Sequence, residues 1–128
     1  MQIASWNPKF LVEIHGHGGS KAKFDIEISS GKPKNNKWSE KLELILRNKY
    51  SNLKEFKNVS ICGKFEKIYF KASNTATIMD GRWIPFHIEL PSILRKSSES
   101  KIFKLPKMGF DFCDILVEAL TEICRVKC

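Results

Sequence analysis

The stretch FHIEL at positions 86–90 alternates apolar and polar residues between two flanking prolines. Such an alternation predicts a half-buried β-strand, because successive side chains of a strand point to opposite faces of the sheet. Prolines are tolerated at strand ends, so they bracket this element. The strand is expected to turn its three apolar residues to a core, while its other face carries His87 and Glu89.

Other segments show strand patterns before and after a central helix. FLVEIH at 10–15 is a short apolar run that ends in a glycine-rich turn, and FDIEIS at 24–29 alternates strictly. Further strands are predicted over 59–65, 67–72 and 75–79, and the pair Asp80-Gly81 predicts a turn.

Two amphipathic helices complete the predicted architecture. Ser39 is predicted to cap a helix whose apolar stripe runs from Leu42 to Leu53. A closing helix is predicted over 111–127, with a buried stripe formed by Cys113, Leu116, Val117, Leu120, Ile123 and Cys124. Strands interleaved with helices indicate a layered α/β domain with a mixed β-sheet flanked by helices.

Length and composition set the class of protein. The 128 residues suit a single domain over 1–128, and 42% hydrophobic with 28% charged residues is typical of a soluble chain. No stretch is long and apolar enough for a membrane span, and the N-terminus has no signal-peptide pattern. The four cysteines form no CxxC pair, which argues against a zinc ribbon or a disulfide framework. We expect a cytoplasmic protein with reduced thiols.

The net charge of +8 comes from 18 lysines and only 4 arginines, scattered along the chain. Lysine is a solvated point charge and lacks the planar fork with which arginine recognises bases and phosphates. Scattered lysines favour weak, salt-sensitive attraction to polyanions. The pattern therefore argues against specific nucleic-acid binding.

The three histidines lie close to predicted strand ends. His15 and His17 flank the end of the first predicted strand, and His87 lies two residues before Glu89. If the two strands are neighbours, histidine and carboxylate converge at the sheet edge where sites form in open α/β sheets. Imidazole is a good zinc ligand, and a carboxylate near the ion can take a proton from water. The alternative is a polar turn, a surface histidine and a glutamate paired with lysine.

Four segments together resemble the C-terminal half of an N-formylglutamate amidohydrolase-like protein: FLVEIHGHGG (10–19), FDIEISSGK (24–32), the helix at 39–50, and WIPFHIELPSILR (83–95). That family is similar in fold to zinc carboxypeptidases and aspartoacylases, so the resemblance implies a phosphorylase/hydrolase-like fold. It further implies that His15 binds zinc, and that Glu89 activates water and then protonates the leaving amine. The implied reaction is hydrolysis of an amide next to a carboxylate, as in N-acyl amino acids or peptide termini.

The chain departs from that family in one respect. The relatives take two further zinc ligands from an upstream His-x-x-Glu, and no such motif occurs here. We therefore expect an N-terminally truncated relative that is inactive in isolation, either a fragment of a longer hydrolase or a shortened protein that has lost the metal. His17 is a tentative second ligand. Arg95 is a candidate for binding a substrate carboxylate, the alternative being a surface arginine at a helix start. Two other functions remain open: a non-catalytic interaction module of the same fold, and a weak basic nucleic-acid-binding protein.

Overall fold

The computed structural model describes residues 7–96 and 105–127, which form an α/β fold around one four-stranded mixed sheet. This confirms the expected fold class. The strands are β1 (Phe10–Gly16), β2 (Ile26–Ser29), β3 (Ile61–Cys62) and β4 (Ile84–Leu90). The α-helices are α1 (Asn36–Tyr50), α2 (Ala76–Met79), α3 (Ser92–Arg95) and α4 (Lys107–Lys127), with short 3-10 helices at Pro33–Asn35 and Lys54–Phe56.

The strands lie in the order β1-β4-β2-β3. The central strand β4 is parallel to β1 and antiparallel to β2, and β3 is parallel to β2. Because β1 and β4 are parallel, their carboxyl ends lie at the same edge of the sheet. The sequence expectation that these two strands are neighbours is confirmed.

One face of the sheet is apolar and carries the core. Ile88 of β4 lies between Ile14 of β1 and Ile28 of β2 in the register. Helices α1 and α4 pack on this face, and the buried cluster combines strand and helix residues: Ile26, Ile28, Ile61, Phe86, Ile88, Leu90, Leu42, Leu46, Tyr50, Phe112, Ile115, Leu116, Ala119 and Ile123. Burial of this apolar surface is the main favourable contribution to folding.

The start of α1 differs from the prediction. Ser39 is not a cap, because the chain enters α1 directly from the 3-10 helix at Pro33–Asn35 and Ser39 lies inside the first turn. Its hydroxyl donates to the carbonyl of Gly63 at 2.6 Å and is buried. The serine therefore fastens α1 to the segment after β3.

The buried stripe of α4 is also shifted from the predicted one. Phe112, Ala119 and Ile123 face the core, whereas Cys113 and Cys124 are exposed and Val117 is largely exposed. The bulky ring of Phe112 buries more apolar surface than the thiol of Cys113, so the helix turns the phenylalanine inward. Reading the two cysteines as core residues was wrong.

The region between β3 and β4 contains less strand than the sequence suggests. Only Ile61–Cys62 of the predicted strand 59–65 pairs in the sheet, residues 67–72 form no strand, and 76–79 is helical. The backbone N–H groups of Tyr69 and Phe70 donate to the carboxylate of Glu27 instead of to a neighbouring strand. A side-chain acceptor thus replaces the sheet ladder that alternation alone predicts.

The predicted turn at Asp80-Gly81 precedes β4. Asp80 accepts hydrogen bonds from the backbone N–H and the guanidinium of Arg82. These bonds hold the pKa of the Asp80 carboxyl at about 2, below its usual value. No helix in the described part of the chain has both the length and the apolar content that a membrane span requires.

Truncation of Leu46 tests the packing of α1 on the sheet. Leu46 is fully buried, so Leu46→Ala is expected to lower the free energy of unfolding by about 2–5 kcal/mol. Leu44 on the same helix is 57% exposed, and Leu44→Ala should change it by less than about 0.5 kcal/mol. Urea unfolding of both variants is the measurement, and equal losses would contradict the described orientation of α1.

Candidate metal centre

The second face of the sheet is polar, and the strand register determines which side chains meet there. Glu13 of β1 is the register partner of His87 of β4, and His15 is the partner of Glu89. Register partners point to the same face, so all four side chains share it. His15 and Glu89 are therefore register neighbours on this face near the carboxyl ends of β1 and β4, which pair as the sequence predicts.

Glu13, His15 and His87 form a compact set of potential metal donors. One donor atom from each lies within 4.8 Å of the other two. The His15 and His87 rings are stacked with centroids 4.3 Å apart, and Nε2 of His15 lies 3.6 Å from Oε1 of Glu13. Two imidazoles and one carboxylate are a donor set that zinc uses in catalytic sites.

Exposure falls across this cluster from β1 to β4. The side chain of His15 is 47% exposed and that of Glu13 is 29% exposed. Those of His87 and Glu89 are each only 9% exposed. The cluster is thus open to solvent on the β1 side and closed on the β4 side.

His87 has two chemically different nitrogens in this setting. Its Nε2 lies 3.0 Å from Oε1 of Glu89. Its Nδ1 is buried and has no hydrogen-bond partner among the described residues. A buried polar atom without a partner costs about 1–3 kcal/mol, and native proteins contain few of them. The Nδ1 atom is therefore available to a water molecule or an ion at this position.

Glu13 is oriented by the short helix α2. The hydroxyl of Thr77 donates to Oε2 of Glu13 at 2.8 Å. The indole N–H of Trp83 donates in turn to the carbonyl of Thr77 at 2.9 Å. This arrangement holds one carboxylate oxygen and leaves Oε1 on the side of His15.

Glu27 lies on the same face but has a structural role. Its carboxylate is completely buried and accepts four backbone hydrogen bonds, from Lys23, Phe24, Tyr69 and Phe70. It therefore connects the segment before β2 to the segment after β3.

Cys62, the register partner of Glu27, is buried. Burial raises the pKa of the Cys62 thiol, which keeps it in the protonated form.

His17 lies outside the donor cluster. Its Nδ1 accepts from the backbone N–H of Gly19 at 3.0 Å, and its Nε2 lies 2.7 Å from the carbonyl of Asp25. The ring is buried and stacks on Phe70. With both nitrogens engaged, His17 fixes the glycine-rich turn after β1 and offers no free donor atom.

Arg95 joins the two strand ends. Its Nε donates to the carbonyl of Leu90 at 3.1 Å and its Nη2 to the carbonyl of His17 at 2.9 Å. The guanidinium lies so close to Gly16 that a Cβ there would come within 2.4 Å of it. Arg95 thus lies at the predicted edge of the sheet, where its described contacts are with the backbone.

Sequence reasoning named His15 and Glu89 but did not assign Glu13 or His87 to the metal. The signal was present, since Glu13-x-His15 and His87-x-Glu89 are each two residues apart on predicted strands. What the sequence lacks is the register, which pairs Glu13 with His87.

Comparisons of this chain with protein-family models, with curated proteins and with solved structures give no match.

Removal of the Glu27 charge tests its role in the fold. In Glu27→Gln an amide N–H₂ replaces one oxygen, so buried backbone donors lose their acceptor at about 1–3 kcal/mol each. We expect the free energy of unfolding to fall by about 2–5 kcal/mol. The matched variant at the exposed Glu66, Glu66→Gln, should stay within about 0.5 kcal/mol of the unchanged protein. Denaturant unfolding with unchanged stability of Glu27→Gln would disprove the structural role.

Proposed function

We propose that this domain is a zinc-dependent hydrolase whose ion is held by Glu13, His15 and His87. The observation that carries the proposal is the convergence of the three donor atoms within 4.8 Å on the polar face of the sheet. The site lies on the face of two parallel strands and extends, at His15, toward their carboxyl ends, the edge where open α/β sheets place their ligands.

The residues fit a zinc ion by three criteria. Two histidines and one glutamate are a catalytic rather than a structural zinc set, which leaves a coordination position for water or substrate. The buried Nδ1 of His87 has no other partner among the described residues. The side chain of His15 is half-exposed, so an ion has access to the cluster from solvent.

Zinc in such a site supplies a Lewis acid that polarises a carbonyl and lowers the pKa of water. The residues of the chain position the donor atoms and exclude water from one side of the site. Thr77 holds Glu13 by a hydrogen bond. His87, itself a donor, and Glu89 are buried, so the β4 side of the site is closed to solvent. An inactive chain is expected if His15 and His17 are the donors, but in the proposed site Glu13 and His87 join His15 to make a set of three.

An anionic substrate of small size is the best match to the charge of the chain. The net charge of +8 attracts anions to the surface at long range. The resemblance to N-formylglutamate amidohydrolases implies an N-acyl amino acid, in which the amide lies next to a carboxylate. We carry this substrate class into the proposal, with Arg95 at the same sheet edge as the candidate for that carboxylate.

Zinc binding is the first test of the proposal. The purified chain should bind one zinc ion, and His15→Ala should weaken binding by more than the ~10–100-fold typical of residues outside the coordination shell. The control is His17→Ala, which should lose stability but keep zinc affinity. Elemental analysis and chelator competition measure both. Zinc loss in His17→Ala with retention in His15→Ala would reverse the assignment.

Hydrolysis is the second test. The zinc-loaded chain should release amine from N-formyl or N-acetyl amino acids, and Glu13→Gln should reduce the rate by more than about 100-fold because a ligand is lost. Thr77→Val removes only the hydrogen bond to Glu13 and should have a smaller effect. An amine-release assay with and without chelator decides the matter. A zinc-loaded chain without zinc-dependent amine release on this substrate class would refute the hydrolase.

A further inference from the structure

The Glu89–His87 pair has a geometry that bears on how the metal is held. Both side chains are buried, and only one imidazole nitrogen, Nε2, contacts the carboxylate. An ionised carboxylate has no proton to donate, so Nε2 of His87 is the donor in this contact. The lone pair is then on Nδ1, the atom that has no hydrogen-bond partner in the described part of the chain.

We infer that Glu89 is a positioning residue that holds His87 as the Nε2–H tautomer and thereby makes Nδ1 its zinc-binding nitrogen. This rests on the proposed zinc site and assigns Glu89 a different role from the proton transfer that the resemblance implies. A carboxylate that accepts from the second nitrogen of a ligating histidine fixes the ring and strengthens its basicity.

The surroundings of Glu89 support this role. Its register partner on β2 is Glu27, so two carboxylates are neighbours on a buried face. Glu27 accepts from backbone N–H groups, whereas among the described residues Glu89 contacts the His87 ring. Removing one member of the pair would leave the other as an uncompensated buried group, which is costly.

Proton transfer by Glu89 requires a different arrangement. A general base must reach the proton that it abstracts directly or through one water. Here Oε1 lies 3.0 Å from Nε2 of His87 and the Glu89 side chain is only 9% exposed, which limits the access of water to the carboxylate. The two roles therefore predict different effects of substitution. A positioning residue changes zinc affinity, whereas a base changes turnover at unchanged affinity.

The experiment is chelator competition with zinc on the unchanged chain, Glu89→Gln and Glu89→Ala. We expect zinc binding to weaken about 10-fold in Glu89→Gln, whose amide oxygen still accepts from Nε2, and about 100-fold in Glu89→Ala. Ser29→Ala is the matched control. Ser29 is buried and is the register partner of His87, but its hydroxyl bonds to the backbone of Lys71 and Gly31. The zinc affinity of the Ser29→Ala chain should therefore stay within about twofold of that of the unchanged chain. Thermal unfolding of the metal-free variants shows whether each is folded.

A spectroscopic measurement on the unchanged chain keeps the test independent of folding. With ¹⁵N-labelled histidine, the long-range ¹H–¹⁵N spectrum should show a protonated Nε2 at His87 in the metal-free chain. The Nδ1 signal should shift when zinc is added. A protonated Nδ1, or zinc bound through Nε2, would overturn the inference.

The outcomes separate the two proposals. If the unchanged chain binds no zinc, the proposed zinc hydrolase fails, whichever tautomer His87 shows. If zinc binds with equal affinity to the unchanged chain and both Glu89 variants, the zinc site stands and the positioning role fails. Loss of turnover alone would then assign Glu89 to proton transfer.

Discussion

The parallel pairing of β1 with β4 is the constraint on which the rest of the structure depends. It places two short polar sequences, Glu13-x-His15 and His87-x-Glu89, side by side with their carboxyl ends at one edge. A shift of one residue in this register would turn every side chain of one strand to the opposite face. Phe10 opposite Ile84 and Val12 opposite Phe86 oppose such a shift, because all four pack in or against the core and a shift would move apolar side chains out of it. The hydrophobic core thus fixes the geometry of the polar cluster.

Burying a polar sheet face costs free energy of desolvation, and the chain offsets this cost with hydrogen bonds to the buried side chains. The segment between β3 and β4 crosses this face and directs backbone N–H groups at Glu27. Farther along, Thr77 donates to Glu13. Each carboxylate therefore meets its own donors, and desolvation is offset by hydrogen bonds to charged groups, which are stronger than neutral ones. Nδ1 of His87 is the exception on this face among the described residues.

The sequence predicts what depends on local periodicity and misses what depends on distant partners. Alternation in FHIEL identifies β4 and its two faces, and apolar spacing identifies α1. The strands predicted over 67–72 and 75–79 are absent because their environment is set by Glu27, some 40 residues away in the chain, and by packing on the sheet. The phase of α4 is missed by one position, since periodicity alone does not decide whether Phe112 or Cys113 turns inward. In the site, the sequence predicts the meeting of His15 with Glu89, while the ligand set depends on a register that no local pattern encodes.

The three donors differ in rigidity, and this difference shapes the site. His87 is held by burial and by Glu89, and Glu13 by Thr77. His15 is half exposed and is held mainly by stacking on His87. Ordering a free side chain on ligand binding costs about 1 kcal/mol, and only His15 bears much of that cost here. Two preorganised donors and one adaptable donor suit a site that an ion enters from solvent, because the exposed ring closes on the ion without disturbing the core.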